Sequence, residues 1–258
     1  MRLMKRILSA AAVLALSASL LVGCSSGTAS SVPVSASSAA ESTVSSVEET
    51  ASSAVDENEA AAAQLLNDLT GSYQELWPVI LADEYQQTWL DDCTALVGEE
   101  NAEAAFEKLS SMVTGDVYGE DAVKAYANGG GAYFCGFTNS LAILTFDGET
   151  STISGTDKDG NVLFSHTYHY IGMEPVRGLY EFESDDADSG EFTYFFLAPD
   201  TSAETYHIEF RYGSDADALS QYDAGDYAYW LASGISTDCD QTMIDNCIEL
   251  FCTENLAG

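Results

Sequence analysis

The spacing of apolar residues divides the chain into a helical first half and a strand-forming second half. Between residues 60 and 127 the apolar side chains recur at three- and four-residue steps, which is the period of an amphipathic helix. Helices are predicted for residues 60–69, 73–81, 84–96, 101–112 and 121–127. A last helix is predicted for residues 241–251, with Asp238 or Asp240 as its N-terminal cap.

After the glycines at 129–131 the period falls to two, as in a strand that is buried on one face. Strands are predicted for residues 132–137, 141–146, 150–155, 162–171, 178–183, 192–197 and 205–212. Short segments rich in Asp and Gly separate several of these strands, and such segments favour tight hairpin turns. The pattern therefore predicts an α+β fold whose antiparallel strands close into a barrel or half-barrel.

The best candidates for chemistry lie on the last predicted strand. Its two faces alternate, so that a polar row opposes an apolar row. The polar row is Thr205, His207, Glu209 and Arg211, and the apolar row is Tyr206, Ile208, Phe210 and Tyr212. A histidine beside a carboxylate is a typical metal-binding pair, so His207, Glu209 and the nearby Glu204 are candidate metal ligands. The same histidine and Glu209 would be the first acid–base group to test in an enzyme.

An ordered set of short segments resembles the ZinT family of extracytoplasmic zinc-binding proteins. The segments are residues 69–71, 77–81, 176–180 and 226–230, together with a strand ending in Ala198-Pro199 and the histidine-bearing strand after it. They span most of residues 65–255. The resemblance implies a lipocalin-like (calycin) barrel with helices at its sides. It also implies a bound divalent metal of the zinc type and delivery of that metal to an ABC importer.

The resemblance places the family's zinc ligands at three positions that hold Phe195, Thr205 and His207 in this chain. If carboxylates or water complete the site, its harder ligand set favours manganese, magnesium or calcium relative to zinc. Alternatively, Phe195 fills the place of the lost ligand, and a metal-free domain binds a small apolar ligand or a surface protein partner. Candidate lining residues for an apolar pocket are Tyr194, Phe196, Tyr227, Tyr229 and Trp230.

The chain has two other histidines, His166 and His169, both on the strand predicted for residues 162–171. A three-residue step places their rings on opposite faces, so the two are not expected to share a metal on their own. Either ring could meet His207 across a barrel, and both are additional candidate metal ligands. The acidic segments 157–160 and 185–190 lack the last carboxylate of a calcium loop and are predicted to be turns.

The first 23 residues have the pattern of a bacterial lipoprotein signal peptide. A basic start precedes the apolar run at 7–22, and residues 21–24 form a lipobox. Cys24 is therefore the predicted lipidation site, whose acyl chains, palmitate among them, would anchor the protein in the cell membrane, facing outside the cytoplasm. Residues 24–58 are predicted to be a disordered Ser/Ala-rich linker, and residues 59–258 a single ZinT-like domain.

Composition restricts the possible partners. The chain has 42 acidic and eight basic residues, and three of the basic ones lie in the predicted signal peptide. This charge opposes binding of nucleic acid and attracts cations. The sequence contains no nucleophile elbow, no zinc-protease helix, no phosphate loop and no dinucleotide fingerprint, so no enzymatic activity is expected.

Five cysteines follow Cys24, an odd number that leaves at least one unpaired within the chain or joined to another chain. They are Cys93, Cys135, Cys239, Cys247 and Cys252. Outside the cytoplasm one or two disulfides are expected. Any such bond is expected to join the C-terminal region to Cys93 or Cys135.

Overall fold

A computed structural model describes residues 57–128, 132–198 and 207–257. The helices in these residues are α1 (57–68), α2 (Leu76–Ile80), α3 (Gln86–Val97), α4 (Ala102–Val113), α5 (Glu120–Ala127), α6 (Ala216–Leu219) and α7 (Gln241–Leu256). The strands are β1 (Gly71–Glu75), β2 (Ile143–Asp147), β3 (Thr152–Thr156), β4 (Val162–Met173), β5 (Tyr180–Ser184), β6 (Tyr194–Leu197), β7 (His207–Gly213) and β8 (Ala232–Ser236). No helix in the described ranges has the length and apolar content needed to cross a bilayer. The predicted signal peptide, Cys24 and nearly all of the predicted linker lie outside the described residues.

The eight strands form one closed antiparallel barrel. Each strand pairs with the next along the chain, and β8 pairs with β1 to close the sheet. In the closing pair, Tyr73 lies opposite Ser236 and Gln74 lies opposite Ile235. Closure satisfies the backbone hydrogen bonds that would be unpaired at an open edge. The predicted α+β class and the lipocalin-like barrel with helices before and after it are confirmed.

Aromatic side chains fill the barrel interior. Phe195, Phe210 and Tyr212 are fully buried, and the ring centroid of Phe195 lies 5.3 Å from that of Tyr212. On β4, Phe164 and Tyr168 face the same interior and are also buried. Burial of each such ring contributes roughly 1.5–3 kcal/mol to folding, so the interior is a packed core.

A second core lies between the helices and the barrel wall. Trp89 of α3 is fully buried at its centre and donates its indole N–H to the carbonyl of Ile80 over 2.7 Å. The rings of Phe106 on α4 and Phe251 on α7 lie 5.5 and 6.0 Å from the Trp89 ring. The apolar faces of α2, α3, α4 and α7 are therefore packed together. Asp240, one of the two predicted caps, accepts the Met243 N–H at the start of α7.

Two local predictions were wrong. The helix predicted for residues 73–81 is interrupted, because Tyr73 lies in β1, pairs with both neighbouring strands and is buried in the barrel. Barrel closure thus overrides the local apolar spacing. The segment 132–137 is not a strand, and Phe134 makes two isolated bridges, one to Thr114 and one to Trp230.

The closing strand β8 was not predicted, since Ala232, Ser233 and Gly234 lack the branched and aromatic side chains typical of strands. Close packing explains its composition. A Cβ atom on Gly234 would lie only 3.1 Å from Ile208 and 3.3 Å from Phe137. Gly234 therefore has little room for a larger side chain, because the side chains of Ile208 and Phe137 cover it closely.

Arg211 ties the segment after α6 to the barrel. Its side chain is fully buried on the outer face of β7, and its guanidinium donates to the carbonyls of Leu219, Gln221 and Tyr227. The guanidinium carbon also lies 4.4 Å from the centre of the Tyr222 ring. Burial lowers the pKa of Arg211 to about 10. The predicted polar row of β7 is thus covered by protein at this end.

Glu181 of β5 lies in a half-buried acidic environment. Burial raises its pKa above the ordinary value, and the charges of Glu174 and Asp217 raise it further. Glu174 is itself buried and accepts the backbone N–H groups of Val176 and Arg177. The ionised form of Glu181 is therefore less favourable in the folded chain than in the unfolded chain.

Replacement of Arg211 by methionine is expected to lower the free energy of unfolding by about 2–4 kcal/mol, because it removes the buried donor to three backbone carbonyls. Urea denaturation followed by tryptophan fluorescence measures the change. Arg177 lies over the same Tyr222 ring, 4.3 Å from its centre, but is only half-buried. Arg177→Met is the matched control and should cost about 1 kcal/mol or less. Equal losses in the two variants would contradict the tethering role of Arg211.

Glu181→Gln is expected to stabilise the protein at pH 7 by up to about 1 kcal/mol, a value kept small by the partial exposure of the group. Because folding raises the pKa of Glu181, the wild type loses stability as pH rises through the folded-state value. The advantage of the substitution should therefore disappear below about pH 4, where both states bind the proton. Denaturation at pH 3.5 to 8 tests this. Glu99→Gln, which removes the same charge at an exposed position, is the matched control, and an equal pH dependence in the two variants would contradict the role of burial at Glu181.

Candidate functional site

His207 and Glu209 share the outer face of β7, as the alternation predicted, and both are half-buried. Between them Ile208 points into the barrel core. Across the β7–β8 pair, His207 lies opposite Ile235 and Glu209 lies opposite Ser233. Ile235 belongs to the helical core, so this face of β7 is directed toward the helices.

The buried thiol of Cys135 lies near this face. Burial raises its pKa to about 12, and the carboxylate of Glu209 is the second cause of the rise. In the described ranges no three His, Cys, Asp or Glu side chains come together as a metal-binding group. Glu204 lies outside those ranges. The ligand set of His207, Glu209 and Glu204 therefore stays a prediction.

The zinc site implied by the resemblance does not fit the residues at positions 195 and 207. Phe195 lies inside the barrel, with its ring stacked against Tyr212 and edge-on to Tyr168. His207 lies on the opposite face of the same pair of strands. One cation cannot bind at both positions, and Phe195 fills the interior with apolar atoms. Thr205, the third position, lies outside the described residues.

The rings of His166 and His169 lie on opposite faces of β4, as predicted. His166 follows the inward row of Phe164 and Tyr168, and its side chain is only 17% exposed. Its Nδ1 atom lies 2.7 Å from a carboxylate oxygen of Asp186. This histidine is thus fixed at the rim of the aromatic interior.

His169 lies on the outer face, between two carboxylates. Its Nδ1 lies 2.7 Å from Oδ1 of Asp185, and its Nε2 lies 4.0 Å from Oε2 of Glu183. Glu183 is the cross-strand neighbour of His169 in the β4–β5 register. The Tyr194 hydroxyl donates to the other oxygen of Glu183 over 3.1 Å. The strand register and the Tyr194 hydroxyl therefore hold the Glu183 carboxylate beside His169.

The turn after β5 places Asp185 and Asp186 beside the histidines. The Asp185 N–H donates to the Thr167 carbonyl over 2.9 Å, and the Asp186 N–H donates to the Ser184 hydroxyl over 3.2 Å. Ser189 is buried and donates to the same hydroxyl over 2.8 Å. The sequence predicted a turn at 185–190 but missed its carboxylates as partners of the histidines. A β4–β5 register would have identified them.

When the Nδ1–H of a neutral histidine donates to a carboxylate, the other ring nitrogen, Nε2, carries the free lone pair. This is the usual arrangement of a metal-ligating imidazole. In His169 that nitrogen is turned toward Glu183 and toward solvent, since the side chains of His169, Glu183 and Asp185 are 52%, 38% and 54% exposed. The group is therefore accessible to a cation without any opening of the fold.

The five aromatic residues proposed to line an apolar pocket do not gather around one cavity. Phe196 and Trp230 are fully buried in the core, whereas the Tyr229 ring stacks on Tyr126 at 4.1 Å. The hydroxyls of Tyr194 and Tyr227 are hydrogen-bonded to Glu183 and Glu191, respectively. Cavities of about 320, 330 and 510 Å³ in the described structure are lined by other residues.

Replacement of Phe195 by histidine tests the assignment of position 195 to the core. We expect a loss of about 2–4 kcal/mol of stability, since the change removes a buried ring and introduces an unpaired polar group. We also expect no gain in zinc affinity, because His207 lies on the other face. Phe192→His, in a half-buried ring stacked on Phe164, is the control and should cost less. A gain in zinc affinity that His207→Ala abolishes would contradict this placement.

No protein-family model matches the chain, and no curated protein matches it. The structure is similar to the Zn(II)-bound ZinT-like domain of Streptococcus pneumoniae AdcA, with a TM-score of 0.46 and 15% identity over 71% of this chain and 89% of that one. It is also similar to Zn(II)-bound AdcA from the same organism, with a TM-score of 0.43 and 14% identity over 72% of this chain and 35% of that one. The first of these is a ZinT-like domain, and the ordered sequence segments resemble the same family.

Proposed function

We propose that this chain is a lipid-anchored extracytoplasmic protein that binds a divalent cation on the outer face of its barrel. The observation that carries the proposal is the arrangement of His169, with Asp185 on one ring nitrogen and Glu183 beside the other. Cation binding is the chemistry that this arrangement supports best. Delivery of the cation to an importer is a role suggested only by the resemblance to the ZinT family.

Geometry supports ligation by His169 and Glu183. The hydrogen bond to Asp185 fixes the tautomer, so that Nε2 carries the lone pair. Each metal–ligand bond is roughly 2.0–2.2 Å long, so two ligands of one cation lie up to about 4 Å apart. The Nε2 to Oε2 distance of 4.0 Å is at the upper end of that range. A small closing movement of the exposed Glu183 side chain would make it shorter.

The ligand types indicate which cations fit. One imidazole and one carboxylate, with water in the remaining positions, form a mixed nitrogen and oxygen set that accepts zinc or manganese and, with more oxygen ligands, calcium. The excess of acidic residues raises the cation concentration near the surface within about 8 Å at physiological salt. Binding is expected to be weaker than in sites with three or four protein ligands.

The lipobox at residues 21–24 supports the anchor, and the composition of residues 24–58 supports a flexible tether. Such a tether has a mean reach of roughly 30 Å. A domain held at this distance from a membrane surface would stay close to any importer in the same membrane.

Titration calorimetry of the mature chain with zinc, manganese and calcium tests the proposal. We expect His169→Ala to weaken zinc binding by at least about tenfold, since it removes a direct ligand. Asp185→Asn should weaken binding by about 10- to 100-fold, because it removes the partner that orients the ring. His166→Ala is the matched control: its ring is also paired with an aspartate, but it faces the barrel interior.

The His207→Ala variant separates the two candidate sites. Binding that survives His169→Ala and is lost in His207→Ala would move the site to β7, where the sequence first placed it. An absence of binding for all three cations would overturn the proposal and favour the metal-free alternative.

A further inference from the structure

Two cysteines that are far apart in sequence meet inside the helical core. Cys93 of α3 and Cys252 of α7 are separated by 159 positions, and their sulfur atoms lie 3.9 Å apart. Both side chains are fully buried. We propose that Cys93 and Cys252 form a disulfide that joins α3 to α7 in the oxidised protein.

The contact is part of the packing between the two helices. Trp89 lies one helical turn before Cys93, and its ring lies 6.0 Å from that of Phe251, the neighbour of Cys252. Ile248 lies one turn before Cys252 and is fully buried in the same core. Residues four apart share one face of a helix, so both thiols project from the faces that the helices turn toward each other. The helix pairing therefore keeps the sulfurs together.

The distance suits bond formation. A disulfide has a sulfur–sulfur length of about 2.05 Å and needs Cα atoms within roughly 7 Å. Sulfurs at 3.9 Å are already in contact, and rotation of the two side chains with a small movement of the helices supplies the rest. The helices α3 and α7 are already packed together, so the bond can form without bringing distant elements into contact.

The other cysteines are less well placed than Cys252 to form a disulfide with Cys93. Cys247 lies five residues before Cys252 on α7, which rotates it by roughly 140° around the helix. Cys239 precedes α7 and is half-buried. The Cys135 sulfur lies 3.8 Å from the Tyr133 carbonyl. The structure thus selects Cys252 from the C-terminal region, where the sequence left the choice open.

The chemistry needs an external disulfide as oxidant, such as glutathione disulfide. One protein thiolate attacks the oxidant and releases one glutathione thiol, and the second protein thiolate then attacks the mixed disulfide and releases the other. The two protein thiols lose two protons and two electrons in total, and two glutathione molecules carry them. Burial raises the pKa of both Cys93 and Cys252, so few thiolates are present in the native state. The bond should therefore form mainly during folding.

Peptide mapping of the full chain tests the pairing. The chain is refolded in a glutathione redox buffer, its free thiols are alkylated under denaturing conditions, and it is cleaved at acidic residues. Cleavage after Asp92, Glu99, Glu249 and Glu254 separates Cys93, Cys247 and Cys252 onto different peptides. We expect residues 93–99 linked to residues 250–254, and free thiols at both positions after reduction.

Thermal unfolding of oxidised and reduced protein measures the consequence. A bond that closes so long a loop should raise Tm on the order of 10 °C. The oxidised-minus-reduced difference should fall sharply in Cys93→Ser and in Cys252→Ser. It should persist in Cys135→Ser, the matched control for replacing a buried cysteine. Comparing two redox states of one variant cancels any packing loss caused by the substitution itself.

Alkylated Cys93 and Cys252 in the oxidised protein, or a link from either one to a different cysteine, would overturn the proposal. If refolding fails, prolonged incubation of the natively purified, reduced protein with glutathione disulfide gives the same map. Alkylation in partial denaturant first shows that both thiols can be reached by a reagent. If Cys93 and Cys252 nevertheless stay reduced after that incubation, the proposal is also overturned.

Discussion

Closure of the barrel by the β1–β8 pair is the constraint on which the rest of the structure depends. It fixes which face of every strand points inward, because side chains alternate along each strand and a shift of one residue would exchange the faces. Tyr73 is thereby buried inside, while Ile235 is directed to the helices. The two hydrophobic cores share a wall but use opposite faces of it. Both cores therefore depend on the register of one pair of short strands.

Because of the same register, the polar side chains that could bind a ligand lie on the outer face of the barrel. Among the described residues the interior is occupied by buried rings such as Phe195 and Phe210. On the outer face the end of the β7 row is covered, with Arg211 bonded to backbone carbonyls. The β4–β5 hairpin instead presents His169 with its carboxylates to solvent. The outer faces of β7 and of the β4–β5 hairpin both carry a histidine and a carboxylate, and they differ in how far these groups are exposed to solvent.

Periodicity was enough to predict most helices and the meander, because each of those elements has one buried face. It could not predict β8, whose small residues reflect contacts with Ile208 and Phe137 that are distant in sequence. It placed Tyr73 in a helix for a related reason, since only barrel closure makes that position a strand. The candidate histidines could be chosen from the sequence alone. Their partners Asp185 and Asp186 could not, because they depend on strand register.

The charge around His169, Glu183 and Asp185 supports the proposed cation site on the β4–β5 hairpin. Among the described residues the basic side chains are mostly used elsewhere: Lys124 pairs with Glu120 and Asp121, and Lys158 pairs with Asp159. Arg177 and Arg211 both lie over the Tyr222 ring. No Lys or Arg forms an ion pair with Glu183, Asp185 or Asp186 within the described ranges. These carboxylates therefore lack a Lys or Arg counter-charge within the described ranges, and a cation from solution would supply one. An imidazole binds a metal ion through its neutral form, so a cation and a proton compete for the same ring nitrogen.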